Sequence, residues 1–279
     1  MTVLARRLGR GASWLGGYLG LAIILCVILA LIVTGVLPDR RWGPFGDIRV
    51  WQFLGQGLWV TVQIGAVALV TSLVLAVPLA LARLNLPRPL RWIVISWIEL
   101  VRATPVLALI LSITLFMPRD WLEPMWSATL ALTIYTSAVL AEILRAGILS
   151  IPKGEIDAAR SLGLTYPSTM RLVVLPQAFS RMMPALVSQL ITLVKDTSLV
   201  SIAAVSELAG FARSTHSFFG NPAETYFVVA CLYFVINYTL SRIARRLELQ
   251  RAKEPPVVIP GGLDQEGGLI QPPRPGLGM

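Results

Sequence analysis

Charged side chains set inside long apolar runs are the residues of this chain best placed to do chemistry. The segments KDTS (residues 195–198) and ELVRATP (residues 99–105) each put an acid and a base among hydrophobes. A charge at mid-bilayer costs ~2.5–3.5 kcal/mol on insertion scales, so its retention calls for a reason. Lys195 and Asp196 are consecutive; on a helix they point about 100° apart and cannot both face lipid comfortably. With the hydroxyls of Thr197 and Ser198 they offer a cation for a carboxylate and an anion for an ammonium, the charge pattern of a zwitterion. Pairing with charges on other spans is the alternative role, and the two are compatible. Glu99 and Arg102 stand at i, i+3. At that spacing they either neutralise each other or line a water-accessible path where Thr104 and Pro105 loosen the helix. Glu142 and Arg145 repeat the spacing and are expected near an interface, where snorkelling is cheap, in support of the loop that follows.

Other chemistries lack their residues. No HExxH, GxSxG or GxxxxGKS/T sequence occurs, nor any Gly-Lys dipeptide, so the chain can build no phosphate cradle of its own. Cys26 and Cys231 each lie in an apolar run and read as small buried hydrophobes, without disulfide or metal spacing. His216 is the sole histidine and has no partner at ligand or triad spacing.

The elements that must hold these charges are membrane spans. The 279 residues are 55% hydrophobic and 14% charged, where a soluble domain sits near ~45–50% and ~25%. Six stretches are long and apolar enough to cross a bilayer: residues 15–37, 58–84, 93–117, 126–149, 183–208 and 226–243. Counting Arg83, Arg145 and Arg242, which stand at span ends, with the connections they adjoin, 17 of the 24 basic residues fall on one set of connections, 5 on the other, and Arg102 and Lys195 inside spans. That bias places both termini in the cytoplasm, so the net charge of +9 reports topology and lipid headgroups rather than nucleic acid. After a short N-terminus (1–14), residues 15–37 read as an uncleaved signal-anchor helix in preference to a signal peptide, because the apolar region is long and its cleavage site poor. Residues 252–279 are rich in Pro and Gly without apolar periodicity and are expected to be disordered.

The longest cytoplasmic connection is residues 150–181, containing DAARSLGLTYPSTMRLVVLP at 157–176. It reads as two short helices joined by a tight turn. Pro152 starts the first, Glu155 and Asp157 suit the positive end of its dipole, and Gly163 ends it with a left-handed cap. Thr165 caps the second, Pro167 sits in its first turn, and Pro176 limits its continuation. Small Ala158 and Ala159 let a partner surface approach closely. The alternative is an amphipathic helix lying on the membrane.

Read in place, the loop resembles the EAA loop of permease subunits of ATP-binding-cassette (ABC) importers. GLWVTVQIGAVAL (57–69), ELVRATPVL (99–107), AEILRAGILSIPKGEIDAARSLGL (141–164), VVLPQAF (173–179) and KDTSLVS (195–201) are similar, in collinear order, to landmarks of the polar amino acid permeases, the histidine/glutamine/glutamate type. Asp157 stands where that pattern usually has Glu, Val173 where it has Ile, and Ala103 where Gly is frequent. The resemblance implies an all-α integral membrane fold: one extra N-terminal helix plus a five-helix core over 56–246. It implies a bacterial inner membrane location, two ATPase subunits, a second permease subunit, identical or not, and an extracytoplasmic amino acid-binding protein. No cofactor would sit on this chain, since ATP and Mg belong to the ATPase. By matching positions, Glu99, Arg102, Thr104, Pro105, Lys195, Asp196, Thr197 and Ser198 would lie along the translocation path. Glu155, Asp157, Ala158, Ala159, Gly163, Leu175 and Pro176 would belong to the ATPase contact. The solute is expected to be a polar amino acid, acidic or neutral, because Arg102 and Lys195 favour anionic groups. The competing function is an ion-coupled secondary carrier that uses Glu99, Arg102, Lys195 and Asp196 as its relay.

Overall fold

The computed structural model describes residues 39–251; the N-terminus 1–14, the extra helix 15–37 and the tail 252–279 expected from the sequence lie outside them. The described residues are helical throughout. A 3-10 stretch, Asp39–Gly46, leads into α1 (Ile48–Asn85), whose start is set by Asp47 accepting the Arg49 amide at 2.9 Å. This helix begins ten residues ahead of the span expected at 58.

The span expected as one helix over 93–117 is two, α2 (Arg88–Ala103) and α3 (Val106–Phe116), bent by 100°. Pro105 is the cause. It has no amide hydrogen, and it forces Thr104 into extended backbone at φ −78°, ψ 129°. The following helix, α4 (Pro124–Leu149), matches its expected span to two residues. Next come the short α5 (Lys153–Ser161) and the long α6 (Tyr166–Ala203).

The second loop helix and the span expected at 183 are therefore one element. Pro176 does not stop it. A π turn at Met170–Val174 ends two residues before that proline, and it widens the helix where the ring would otherwise meet the carbonyl of Leu172. At its far end α6 tightens into a 3-10 stretch, Thr197–Ala203, closed by Ala204 in left-handed backbone (φ 60°). Two helices complete the fold: α7 (Leu208–Phe219), which the sequence reading missed, and α8 (Pro222–Arg251). Among the described residues, four helices are long and apolar enough to cross a membrane, or five if the bent pair α2–α3 counts as one span.

The core forms around α4. Its small residues Ala128, Ala131, Ala138 and Ala141 are fully buried and meet Ile64, Ala68 and Ala76 of α1. Between transmembrane helices, where lipid is as apolar as leucine, close approach of small side chains is the main source of contact energy. Gly147 carries the same logic to α6: a Cβ there would meet the Met182 side chain at 3.1 Å. Outside, Trp92, Leu100, Phe116 and Trp121 stand exposed, as a bilayer-facing surface requires.

Candidate functional site

Three hydrogen bonds shape the tip of the loop. Leu162 donates its amide to Ala158, Gly163 to Arg160 at 2.9 Å, and Leu164 to Ala159 at 3.2 Å. The last two form a Schellman motif, which requires a left-handed residue, and Gly163 supplies it at φ +79°. Leu162, Asp157 and Ala158 are exposed at this tip. Ala159 is not. It is only 4% exposed, so of the two small residues expected to admit a partner, Ala158 alone faces outward. Thr165 occupies the cap position of α6, but its hydroxyl donates to Ser168 instead of accepting a backbone amide. Leu175 and Pro176 lie exposed on the α6 shaft.

The tip is tied to three long helices. The Tyr166 hydroxyl donates to Asn85 Oδ1 of α1 at 3.2 Å, Gln177 of α6 donates to Glu155 at 3.2 Å, and the Arg181 guanidinium donates to the Ser150 carbonyl. Below them Glu142 of α4 accepts both Arg145, at 3.2 Å, and Arg83 of α1. The expected i, i+3 pair thus forms, with a third member 59 residues upstream. Replacing Glu142 with alanine leaves the half-buried Arg83 and Arg145 without their shared acceptor, and is expected to destabilise by about 2 kcal/mol, short of a fully buried pair. Removing Arg83 as well should recover part of that loss, read as a double-mutant cycle on thermal unfolding in detergent.

The other sequence-predicted residues gather at two helix breaks. Thr104 and Pro105 form the bend between α2 and α3, where the Thr104 hydroxyl donates to the Leu100 carbonyl at 2.9 Å. Lys195, Asp196, Thr197 and Ser198 mark the change from α to 3-10 winding in α6. The breaks are neighbours, because α3 packs on the 3-10 stretch through Ile110 and Val200. Thr197 is fully buried, and its hydroxyl donates to the Val194 carbonyl at 2.7 Å. Lys195 and Ser198 line a cleft of about 420 Å³ between α6 and α8, with Tyr233 and Asn237 opposite.

Glu99 and Arg102 are exposed on α2 and make no ion pair with one another, so the self-neutralised pair is not formed. Water or a neighbouring surface serves such groups better than an i, i+3 contact worth a few tenths of a kcal/mol. Nor are the two charge sets in contact with each other among the described residues.

One polar centre escaped the sequence reading. Glu207 is fully buried and accepts from Thr61 Oγ1 (3.0 Å), Tyr233 Oη (2.6 Å) and the amides of Ala209 (2.8 Å) and Gly210 (3.2 Å). It caps α7 and joins α1 to α8. Burial pushes its carboxyl above the ordinary carboxylate range, and the four donors pull it back. The signal was present in SELAG, an acid directly before a helix start. Glu224, in the first turn of α8, is equally buried, and the positive helix end favours it there.

Residues 47–252 match the family described as the binding-protein-dependent transport system inner membrane component. The chain belongs to that family. Among its relatives is the glutamate transport system permease protein GluD of Corynebacterium glutamicum, 34% identical over 78% of this chain and 82% of that one. The probable glutamine ABC transporter permease protein GlnP of Bacillus subtilis is 38% identical over 71% and 94%. A crystal structure of an amino acid ABC transporter with histidines superposes with a TM-score of 0.68, at 30% identity, over 74% of this chain and 97% of that one. The MetNI methionine ABC transporter, at 23% identity and TM-score 0.65, shares the fold. As a member of this permease family the chain is a membrane-spanning subunit of an ABC importer, and the reading as an ion-coupled secondary carrier falls away.

Proposed function

We propose that this permease carries a polar amino acid across the bacterial inner membrane, driven by a separate ATPase that seats on the α5 tip. The observation that carries the reading is the rigid, outward-facing turn at Gly163, tied through Tyr166, Arg181 and Glu155 to the spans it must move. Two ATPase chains hold ATP and Mg. Their closure turns the tip formed by Glu155, Asp157, Ala158 and Gly163, with Ala159 holding it from inside and Leu175 and Pro176 on the shaft behind. The spans then rock against a second permease subunit and change access from one side to the other. Because a site with equal affinity in both states shifts nothing, the solute must bind the two unequally.

An extracytoplasmic binding protein delivers the amino acid, and both termini of the chain face the cytoplasm, in keeping with the arginine bias. The path runs past the two helix breaks: Glu99, Arg102, Thr104 and Pro105 on one, Lys195, Asp196, Thr197 and Ser198 on the other. Broken helices are tolerated at membrane depth where they line a cavity. Relatives named for glutamate and glutamine agree with an acidic or neutral solute. The test is mass spectrometry of what co-purifies with the tagged chain in mild detergent, followed by uptake in vesicles. A stoichiometric ATPase and ATP-dependent amino acid uptake are expected. A chain that purifies alone and transports without ATP overturns the reading.

A further inference from the structure

A second cleft, of about 420 Å³, lies between α1, α4 and α6 on the side of the loop, apart from the cleft that Lys195 lines. Its walls are apolar: Val77 and Leu81 from α1, Leu144 and Ile148 from α4, Leu175 and Met182 from α6. Its mouth opens to the outer surface, where Val77, Leu81 and Leu175 are 49%, 38% and 43% exposed. Its polar groups are few. Tyr166 and Asn85 are hydrogen-bonded to each other at 3.2 Å. That leaves Arg171, which is exposed and makes no ion pair among the described residues.

We propose that this cleft holds one anionic phospholipid, with an acyl chain against the apolar walls and the phosphate at Arg171. Three observations carry it. The volume falls in the range of small-molecule sites, and the mouth faces the surface that meets the bilayer. The rim holds a cation and no carboxylate, which suits a phosphate and offers nothing to the ammonium of an amino acid. The π turn Met170–Val174 brings Met170 and Arg171 to the cleft together, and such turns, rare in helices, occur frequently at functional sites. That turn is the joint between the α5 tip and the shaft of α6. A chain wedged there braces the joint against α1 and α4, so membrane charge regulates how firmly the tip drives the spans. The leaflet concerned, the cytoplasmic one, rests on the orientation proposed above; the binding itself does not.

The test is native mass spectrometry of the purified full-length chain titrated with phosphatidylglycerol and with phosphatidylcholine. One retained phosphatidylglycerol is expected, preferred about fivefold, as a single arginine near an anionic headgroup provides. Arg171→Gln abolishes the preference while leaving a weakly held lipid; Val77→Phe, which fills the mouth, removes both lipids; Arg88→Gln, an exposed arginine outside the cleft, changes nothing. Equal retention of the two lipids by the unaltered chain, or an undiminished preference in Arg171→Gln, overturns the proposal. Lipid retention is read whether or not an ATPase co-purifies, so the two readings fail separately.

Discussion

Glu207→Ala is expected to lower the stability of the solubilised chain by about 2–4 kcal/mol. Alanine removes the acceptor for Thr61, Tyr233 and the amides of Ala209 and Gly210 together. The Thr61 hydroxyl has an alternative in the Gly57 carbonyl at 3.1 Å, so it is not among the losses. The Tyr233 hydroxyl also reaches the Thr61 and Thr197 hydroxyls, so it is not orphaned, but exchanging a carboxylate acceptor for a neutral one costs about 1–2 kcal/mol. Loss of the cap on α7 adds about 1–2 kcal/mol. A chain of this size should then melt roughly 10 °C lower. Glu207→Gln keeps one carbonyl acceptor and should fall between. The order Glu, Gln, Ala in a thermal unfolding series checks the account, and variants within 1 kcal/mol of the unaltered chain would show that the network carries no load.

That network also marks where sequence reading stops. Hydropathy located α4 to within two residues, and the turn chemistry of Gly163 and Pro167 was legible because each depends only on its own backbone. Pro105 announced a loosened helix, yet the 100° bend depends on α3 finding Val200 and its neighbours to pack against. Pro176 misled for a complementary reason. Its rule assumes α winding upstream, and the π turn that accommodates it has no recognisable local code. The acid–base pairs divide in the same way. At identical i, i+3 spacing, Glu142–Arg145 forms and Glu99–Arg102 does not. The difference is Arg83, which fixes Glu142 from another helix 59 residues away, whereas no ion pair among the described residues confines Glu99. Spacing permits a contact; burial by a distant element enforces it. Family landmarks carried the function further than local physics, since a docking surface is defined by a partner whose sequence lies elsewhere.

Gly163→Val is expected to leave the bundle folded and to abolish coupling: the ATPase should fall from stoichiometric to trace in pull-downs, and ATP-driven uptake should drop more than about tenfold, as a loss near 1.4 kcal/mol or more in docking requires. No atom lies within 4 Å of a Cβ built at this position, so the defect is not a clash inside the chain. It is the backbone. At φ +79° an L-residue costs about 1–2 kcal/mol, and a β-branched one more. The Schellman turn then opens, and the exposed Leu162 and Ala158 leave the positions that α5 gives them. Because the cost is local and the loop is exposed, thermal unfolding should shift by only a few degrees. Gly163→Asn separates geometry from size: asparagine tolerates left-handed backbone and should retain most of the ATPase. If asparagine fails as badly as valine, the partner surface lies directly on Gly163, and the absence of a side chain, rather than the turn, is what docking requires. If valine retains both ATPase and uptake, coupling does not pass through this tip.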